Sequence, residues 1–138
     1  MRSITLNKNR YNRNGLKTGI WEEYWKNGNL YRKGSYVNGK WDGYWEYYYS
    51  NGNLNWRGSY VNDVRYGYWE DYYSNGNLYR KGSYVNGVRE GLWKSYWENG
   101  KLQSEGSFKD GKQDGIWEYY WPNGELNYNR YFEEGVIL

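Results

Sequence analysis

The sequence predicts an all-β fold: a single-layer, elongated antiparallel meander of repeated β-hairpins, forming a twisted sheet with a groove. Three observations predict it. A 24-residue repeat covers most of the 138 residues, turn signals occur twice in each repeat, and aromatic residues alternate with polar ones between those signals. A repeat of this length indicates an array of equivalent supersecondary units. Asn-Gly between alternating hydrophobic segments is the strongest short-range hairpin signal, so each unit is predicted to be two short strands.

The repeat begins at a glycine and reads G-x-W-x-x-Y-[WY]-x-N-G-x-L five times without insertion. We number the units one to five: 19–42, 43–66, 67–90, 91–114 and 115–138. Residues 1–18 are predicted to be a degenerate half-unit that caps the N-terminus, because Leu6 and Gly15 lie 24 residues before Leu30 and Gly39. Unit five lacks the G-S-[YF] sequence of the other units and is interpreted as a C-terminal cap, since terminal repeats are often atypical.

The charged residues test the pairing of the two strands within a unit. A two-residue type I′ turn at Asn27-Gly28 would place Trp25 opposite Leu30 and would set all pairs beyond them. These pairs carry opposite charges in four units, and the signs swap together in the fourth: Glu22 with Lys33, Glu46 with Arg57, Glu70 with Lys81, and Lys94 with Glu105. A three-residue loop with a bulge is the alternative, but it explains the swapped pair less directly.

Two-residue turns preserve side-chain alternation from strand to strand, which defines two faces. The Trp face carries the repeat tryptophans, the following aromatic at position seven, the leucine and the glycine of G-S-[YF]. Its tryptophans are Trp21, Trp45, Trp69, Trp93 and Trp117. Trp21 is predicted opposite Gly34, which leaves room for its indole. The outer face carries the charge pairs and a tyrosine ladder: Tyr24, Tyr48, Tyr72, Tyr96 and Tyr120.

These motifs resemble MORN-type repeats, and more closely the variant of the bacterial YwqK-like antitoxin family, with G-x-W-x-x-Y-x-x-N-G-x-L followed by G-x-[YF]-x-N-G. The resemblance spans residues 19 to about 135. It implies an elongated array of β-hairpins that acts in protein interaction or scaffolding. Lipid binding has been proposed for some MORN-like proteins, and the antitoxin resemblance implies neutralisation of a partner toxin.

Composition argues against an enzyme. The chain has no Cys and no His, which excludes thiolate nucleophiles, Ser/His/Asp triads and the usual zinc sites. No carboxylate pair suggests a general acid and base, so we predict no catalytic residue, cofactor or metal. No 18-residue apolar segment and no secretory signal are found, and the expected location is the cytoplasm.

The candidate binding residues are aromatics on the Trp face that depart from the repeat. They stand where other units have charged residues, Gln or Ser, and exposed aromatics are typical of binding hot spots and ring-stacking sites. The alternative is additional packing that stiffens a thin sheet. These candidates are Trp41, Tyr47, Trp56, Tyr119 and Tyr128.

Three functions remain open. The first is a protein-protein interaction module that binds a toxin or effector. The second is small-ligand binding, in which a nucleotide or sugar ring stacks on the aromatics while Arg32 or Arg80 contacts its polar edge. The third is contact with anionic lipid or another polyanion; no specific nucleic-acid motif is found. The basic residues for that contact are Arg2, Lys8, Arg10, Arg13 and Lys17. Because the last unit is acidic, head-to-tail self-association is a further possibility.

Overall fold

The computed structural model describes residues 7–138, which form one open antiparallel sheet of 13 strands. The predicted all-β hairpin meander is confirmed. The strands are β1 Arg10–Tyr11, β2 Lys17–Tyr24, β3 Leu30–Val37, β4 Lys40–Trp41, β5 Gly43–Tyr48, β6 Leu54–Val61, β7 Val64–Tyr72, β8 Leu78–Val85, β9 Val88–Tyr96, β10 Leu102–Lys109, β11 Lys112–Tyr120, β12 Leu126–Glu133 and β13 Val136–Ile137. Strands adjacent in sequence are adjacent in the sheet, and β4 and β5 share the same edge of β3. No helix among these residues is long and apolar enough to cross a membrane.

Part of the predicted N-terminal cap lies outside the described residues, including Arg2 and Leu6. The remainder covers the edge of β2. Strand β1 pairs with β2, and the Asn9 side chain accepts a hydrogen bond from the Glu22 backbone N–H at 2.8 Å and donates one to its carbonyl at 3.0 Å. The Asn9 amide thus satisfies backbone groups that an open edge would leave unpaired.

The first turn of each unit differs from the predicted type I′ turn. Of Asn27 and Gly28 only the glycine has a positive φ, +90°, and the Trp25 N–H donates to the Asn29 carbonyl at 2.8 Å across a three-residue loop. The Asn27 side chain accepts from the Asn29 N–H at 3.0 Å and donates to the Ser50 carbonyl of the next unit at 2.7 Å. The two-residue prediction is therefore wrong here, because the asparagine stabilises the loop through its side chain.

The longer loop introduces a β-bulge. Leu30 pairs with Tyr24 instead of Trp25, and Tyr31 is the additional residue. Leu30 consequently lies across from the tyrosine ladder on the outer face, not on the Trp face as predicted. Beyond the bulge the predicted register is confirmed in all four charged pairs. The second turn is a true two-residue turn, since Asn38 and Gly39 have φ of +47° and +78° and Val37 pairs with Lys40.

The core consists of the five repeat tryptophans together with Tyr36, Tyr84 and Phe132, and Trp45 is fully buried. Gly34 does pair with Trp21, but the indole lying against its backbone is that of Trp45 in the next unit, which corrects the prediction. The Trp45 Nε1–H also donates to the Ser35 carbonyl at 3.1 Å. The same packing recurs at three further junctions: Gly58 with Trp69, Gly82 with Trp93, and Gly106 with Trp117. Units two to five therefore each bury their tryptophan against the preceding unit.

Candidate functional site

A second side chain covers the repeat tryptophan from the Trp face in four units. An arginine at the end of the preceding unit covers the tryptophans of units three and four: the guanidinium carbons of Arg65 and Arg89 each lie 4.7 Å from the ring centroid of the tryptophan four residues later. At the end of unit one, Trp41 takes this position and stacks on Trp45 of unit two at 4.1 Å. Lys17 covers Trp21 in the same way at 4.4 Å. The substitution at position 41 thus replaces a cation-π contact with ring stacking.

Three predicted candidates come together in a first aromatic cluster, which we define as Trp41, Tyr47, Trp56 and Tyr31. Tyr47 stacks on Trp56 at 5.0 Å, and Trp41 lies 6.1 Å from Trp56. The Tyr31 and Tyr47 hydroxyls hydrogen-bond to each other. Burial, and then the hydrogen bond with Tyr31, raises the pKa of Tyr47 to about 12. The rings of this cluster are half-buried and packed against one another.

The two candidate arginines occupy different environments. Arg32 lies beside the first aromatic cluster, 5.7 Å from the Trp41 ring, and forms an ion pair with Glu23 that lowers the pKa of that carboxyl group. Arg80 forms an ion pair with Asp71 in unit three. The structure therefore brings Arg32, but not Arg80, to the first aromatic cluster. Both guanidinium groups already have a carboxylate partner.

Tyr119 and Tyr128 form a second aromatic cluster in unit five. Their rings stack at 4.7 Å, and the Gln113 amide donates to the Tyr119 hydroxyl at 3.3 Å. The strand positions between the two clusters hold the Asp71–Arg80 and Ser95–Ser104 pairs, as the register predicted. The candidates therefore form two separate groups instead of one continuous stripe.

The aromatic residue at position seven of each unit links that unit to the next. In units one to four, the indole N–H or the hydroxyl of this residue donates a hydrogen bond to a backbone carbonyl of the following unit. These bonds join Trp25 to Tyr48 at 3.1 Å, Tyr49 to Tyr72 at 2.7 Å, Tyr73 to Tyr96 at 2.7 Å, and Trp97 to Tyr120 at 3.2 Å. Because each bond joins two units, these rings hold the array together.

The outer face is lined by coupled charges and tyrosines. In four units the ladder hydroxyl donates to the glutamate two residues earlier: Tyr24 to Glu22, Tyr48 to Glu46, Tyr72 to Glu70, and Tyr120 to Glu118. These bonds contribute to raising the pKa of the tyrosine hydroxyls. The pKa reaches about 12 for Tyr72, mainly because of burial, and about 12 for Tyr120, mainly because of the hydrogen bond. Arg57 faces Glu46 in the register but bonds Glu70 at 2.7 Å, which joins units two and three.

The outer face also exposes an apolar surface that the sequence analysis missed. Its eight members are 43–57% exposed, and we call them the apolar outer surface: Tyr44, Val61, Val64, Tyr66, Tyr68, Val85, Val88 and Leu92. A depression of about 440 Å³ is bordered by Val61, Val64, Tyr66 and Val85, among others. A sequence signal for it existed. Position two of every unit is a large apolar residue, although strand alternation directs it away from the Trp face.

Among residues 7–138 no group of three or more Asp or Glu side chains is arranged to hold a metal ion. The repeated hairpin is matched by a family model described as a MORN repeat variant, over residues 17–38, 41–62, 65–86, 89–110 and 113–134. These segments cover well over half of the chain and begin two residues before the units defined above. No curated protein matches the chain. The five matches follow the hairpins of the sheet one by one, and the chain belongs to the MORN repeat variant family.

Proposed function

We propose that this protein is a protein-binding module that docks its partner on the apolar outer surface of units two to four. Repeats of its family are generally non-catalytic modules that often mediate protein or membrane-lipid interactions. The observation that carries the proposal is the exposure of eight large apolar side chains on the outer face of units two to four, four of which border one depression. Contiguous apolar patches larger than a few hundred Å² are rare on monomeric proteins and mark interaction sites.

The surroundings of this surface favour a folded protein as its occupant. Its middle is formed by tyrosines and aliphatic side chains, and the charge pairs Glu46–Arg57 and Glu70–Lys81 run along one side. An apolar centre with a polar rim is the usual anatomy of a protein-protein interface, and tyrosine is enriched among the residues that dominate binding energy. The expected partner surface is apolar, with charges of both signs at its edge.

The charge of the outer face argues against anionic lipid. In the row of charged pairs along the middle of that face, the register places five carboxylates against four cations, Lys33, Arg57, Lys81 and Lys94. Anionic membranes and polyanions attract clusters of cations without intervening carboxylates. At the N-terminus, Lys8 bonds Glu22 at 2.7 Å and Lys17 covers Trp21, so these two basic residues are engaged within the fold.

The resemblance to YwqK-like antitoxins supports a toxin as the partner, and a partner that acts in the cytoplasm would place this protein there as well. Head-to-tail self-association is a competing use of the chain. Sedimentation at low salt distinguishes the two, because self-association predicts species larger than a monomer without any added partner.

The decisive experiment compares two matched double variants on the same face. Tyr68→Ser/Leu92→Ser changes the apolar outer surface, where the two side chains are 55% and 57% exposed. Ile116→Ser/Tyr131→Ser changes one branched aliphatic residue and one tyrosine of unit five, which pair across two strands and are 62% and 52% exposed. Both are expected to fold, because surface substitutions usually change stability by only about 0.5 kcal/mol.

The partner is first captured by affinity purification from the native host and is then purified and titrated calorimetrically against each protein. The first variant is expected to bind at least about tenfold more weakly, the range of interface hot spots, and the second as wild type. Equal binding by all three would refute docking on this surface. Binding of anionic vesicles that only the first variant loses would indicate lipid as the occupant.

A further inference from the structure

Two junctions between units have nearly the same set of side chains at the first turn. In both, an indole from one unit donates to a backbone carbonyl of the next, beside a stacked pair of rings and a second position-seven aromatic. At the junction of units one and two these residues are Trp25, Tyr49 and the stacked pair Tyr47–Trp56. At the junction of units four and five they are Trp97, Trp121 and the stacked pair Tyr119–Tyr128.

The two junctions differ at the bulge residue of the first strand pair. At the first junction this residue is Tyr31, whose ring lies 4.5 Å from Trp25 and 4.6 Å from Tyr47 and fills the space between them. At the fourth junction it is Gln103, which has no ring. A pocket of about 320 Å³ remains there, bordered by Trp97, Gln103, Tyr119, Tyr120, Trp121, Pro122, Asn127 and Tyr128.

The chemistry of this pocket is aromatic and amide. The rings offer flat apolar surfaces, and Gln103 and Asn127 each offer an amide donor and acceptor. In the hydrogen bonds of the described residues neither amide has a protein partner, and none of the bordering side chains carries a charge. Trp121 is 52% exposed and forms an accessible wall.

We propose that this pocket binds a neutral pyranose sugar. One face of a pyranose ring is a patch of C–H groups that packs on an aromatic ring, and its hydroxyls donate to and accept from side-chain amides. The volume lies in the range of small-ligand sites and accommodates one or two sugar rings. A nucleotide would require a cation for its phosphate, and no cationic side chain borders the pocket.

The test is a titration of the whole protein with defined probes, followed by saturation-transfer NMR and by the fluorescence of its ten tryptophans. The sugars are methyl β-glucoside, N-acetylglucosamine, cellobiose and maltose, and the non-sugar probes are adenosine and choline. At least one sugar is expected to bind saturably with a dissociation constant near 1 mM, a typical value for weak small-ligand binding. No saturable response to any sugar up to about 10 mM, or binding of adenosine or choline instead, overturns the proposal.

Gln103→Tyr is the matched variant, because it restores the residue type found at positions 31 and 79 and should fill the pocket while the hairpin still folds. Sugar binding is expected to fall at least tenfold with an unchanged thermal midpoint. If this variant fails to fold, Trp121→Ala, at an exposed position, is expected to give the same loss. Undiminished binding by the folded variant overturns the assignment. The pocket is separate from the apolar outer surface, so its failure leaves the proposed function standing.

Discussion

Substitution of Gly82 by alanine tests how the repeats are joined. A Cβ at this position would overlap the ring of Trp93, which is 3% exposed. The ring cannot move aside easily. Its Nε1–H donates to the Ser83 carbonyl at 3.1 Å, and Arg89 covers its other side at 4.7 Å. The added methyl group should therefore displace the indole from its site.

The expected loss of stability follows from that displacement. Overpacking that the surroundings can absorb costs about 1–3 kcal/mol, whereas loss of a buried Trp or Phe side chain costs about 3–5 kcal/mol. Because the ring is held on both sides, we expect Gly82→Ala to lower the free energy of unfolding by about 3–5 kcal/mol. This is a large part of the 5–15 kcal/mol that typically stabilises a domain. Each unit contacts mainly its neighbours, so the loss should be concentrated between units three and four.

Urea unfolding followed by circular dichroism measures the effect, and Ser83→Thr is the control because its added methyl group lies on the outer face. With a urea m-value of about 2 kcal/mol/M, the midpoint of Gly82→Ala should fall by about 2 M, and the control should shift by less than about 0.3 M. A Gly82→Ala variant as stable as wild type would refute close contact between the indole and the glycine. Combining Gly82→Ala with Trp93→Leu should recover at least about 1 kcal/mol relative to additivity, since the clash needs the ring.

Three other outcomes are expected. Tyr73→Phe removes the hydroxyl that donates to the Tyr96 carbonyl, so it should lower the free energy of unfolding by about 1 kcal/mol. The control Tyr66→Phe changes an exposed ring and should leave the free energy of unfolding unchanged. Equal urea midpoints of the two variants would contradict the inter-unit bond. Trp41→Arg should retain stability to within about 1.5 kcal/mol, because arginine covers the tryptophan in two other units; a larger loss would show that ring stacking is required. The raised pKa of Tyr47, about 12, predicts that the protein loses stability at alkaline pH. A tyrosine in the unfolded chain ionises near pH 10, so the stability that the neutral Tyr47 hydroxyl contributes is complete below that pH and is lost as the pH rises towards about 12. A constant thermal midpoint over this range would contradict the prediction.

The strand register could be predicted because opposite charges replace one another in pairs. Lys94 and Glu105 reverse the signs found in the other units, and such a double change is expected only if the two side chains face each other. Their ammonium nitrogen and carboxylate oxygen lie 3.3 Å apart. Five copies of one unit also provide repeated observations of the same pairing, which a single hairpin would not.

The turn type could not be predicted from Asn-Gly alone. At Asn38-Gly39 both residues adopt the left-handed conformation, whereas at Asn27-Gly28 only glycine does. At every first turn the asparagine side chain accepts a hydrogen bond from the backbone N–H two residues later, also at Asn123 of unit five. The dipeptide is compatible with both turns, so Asn-Gly alone does not select between them. The bulge that follows Asn27-Gly28 turned Tyr31 towards Tyr47 and moved Leu30 to the outer face.

The candidate aromatics were correctly expected on the Trp face, but their grouping depends on packing across units. Trp41 occupies the place of an arginine and stacks on Trp45, and the Tyr47 hydroxyl bonds that of Tyr31. An aromatic residue that departs from the repeat can therefore pack within the sheet as well as form an exposed binding surface. The sequence does not identify Gln103 as a site residue, because glutamine is an ordinary polar residue at a strand position. Only comparison with Tyr31 at the equivalent place reveals the space that it leaves.

The two faces have different requirements, and that difference bears on function. A single-layer sheet has no second layer to cover its core, so Trp45, Trp69 and Trp93 are each buried between the glycine of the preceding unit and a covering side chain. The outer face already has its charge pairs and tyrosine-glutamate bonds, and folding places no further demand for apolar residues there. Tyr68 and Leu92 remain more than half exposed and bury little area that could stabilise the fold. Their apolar character is therefore better explained by what they contact outside this chain than by the stability of the sheet.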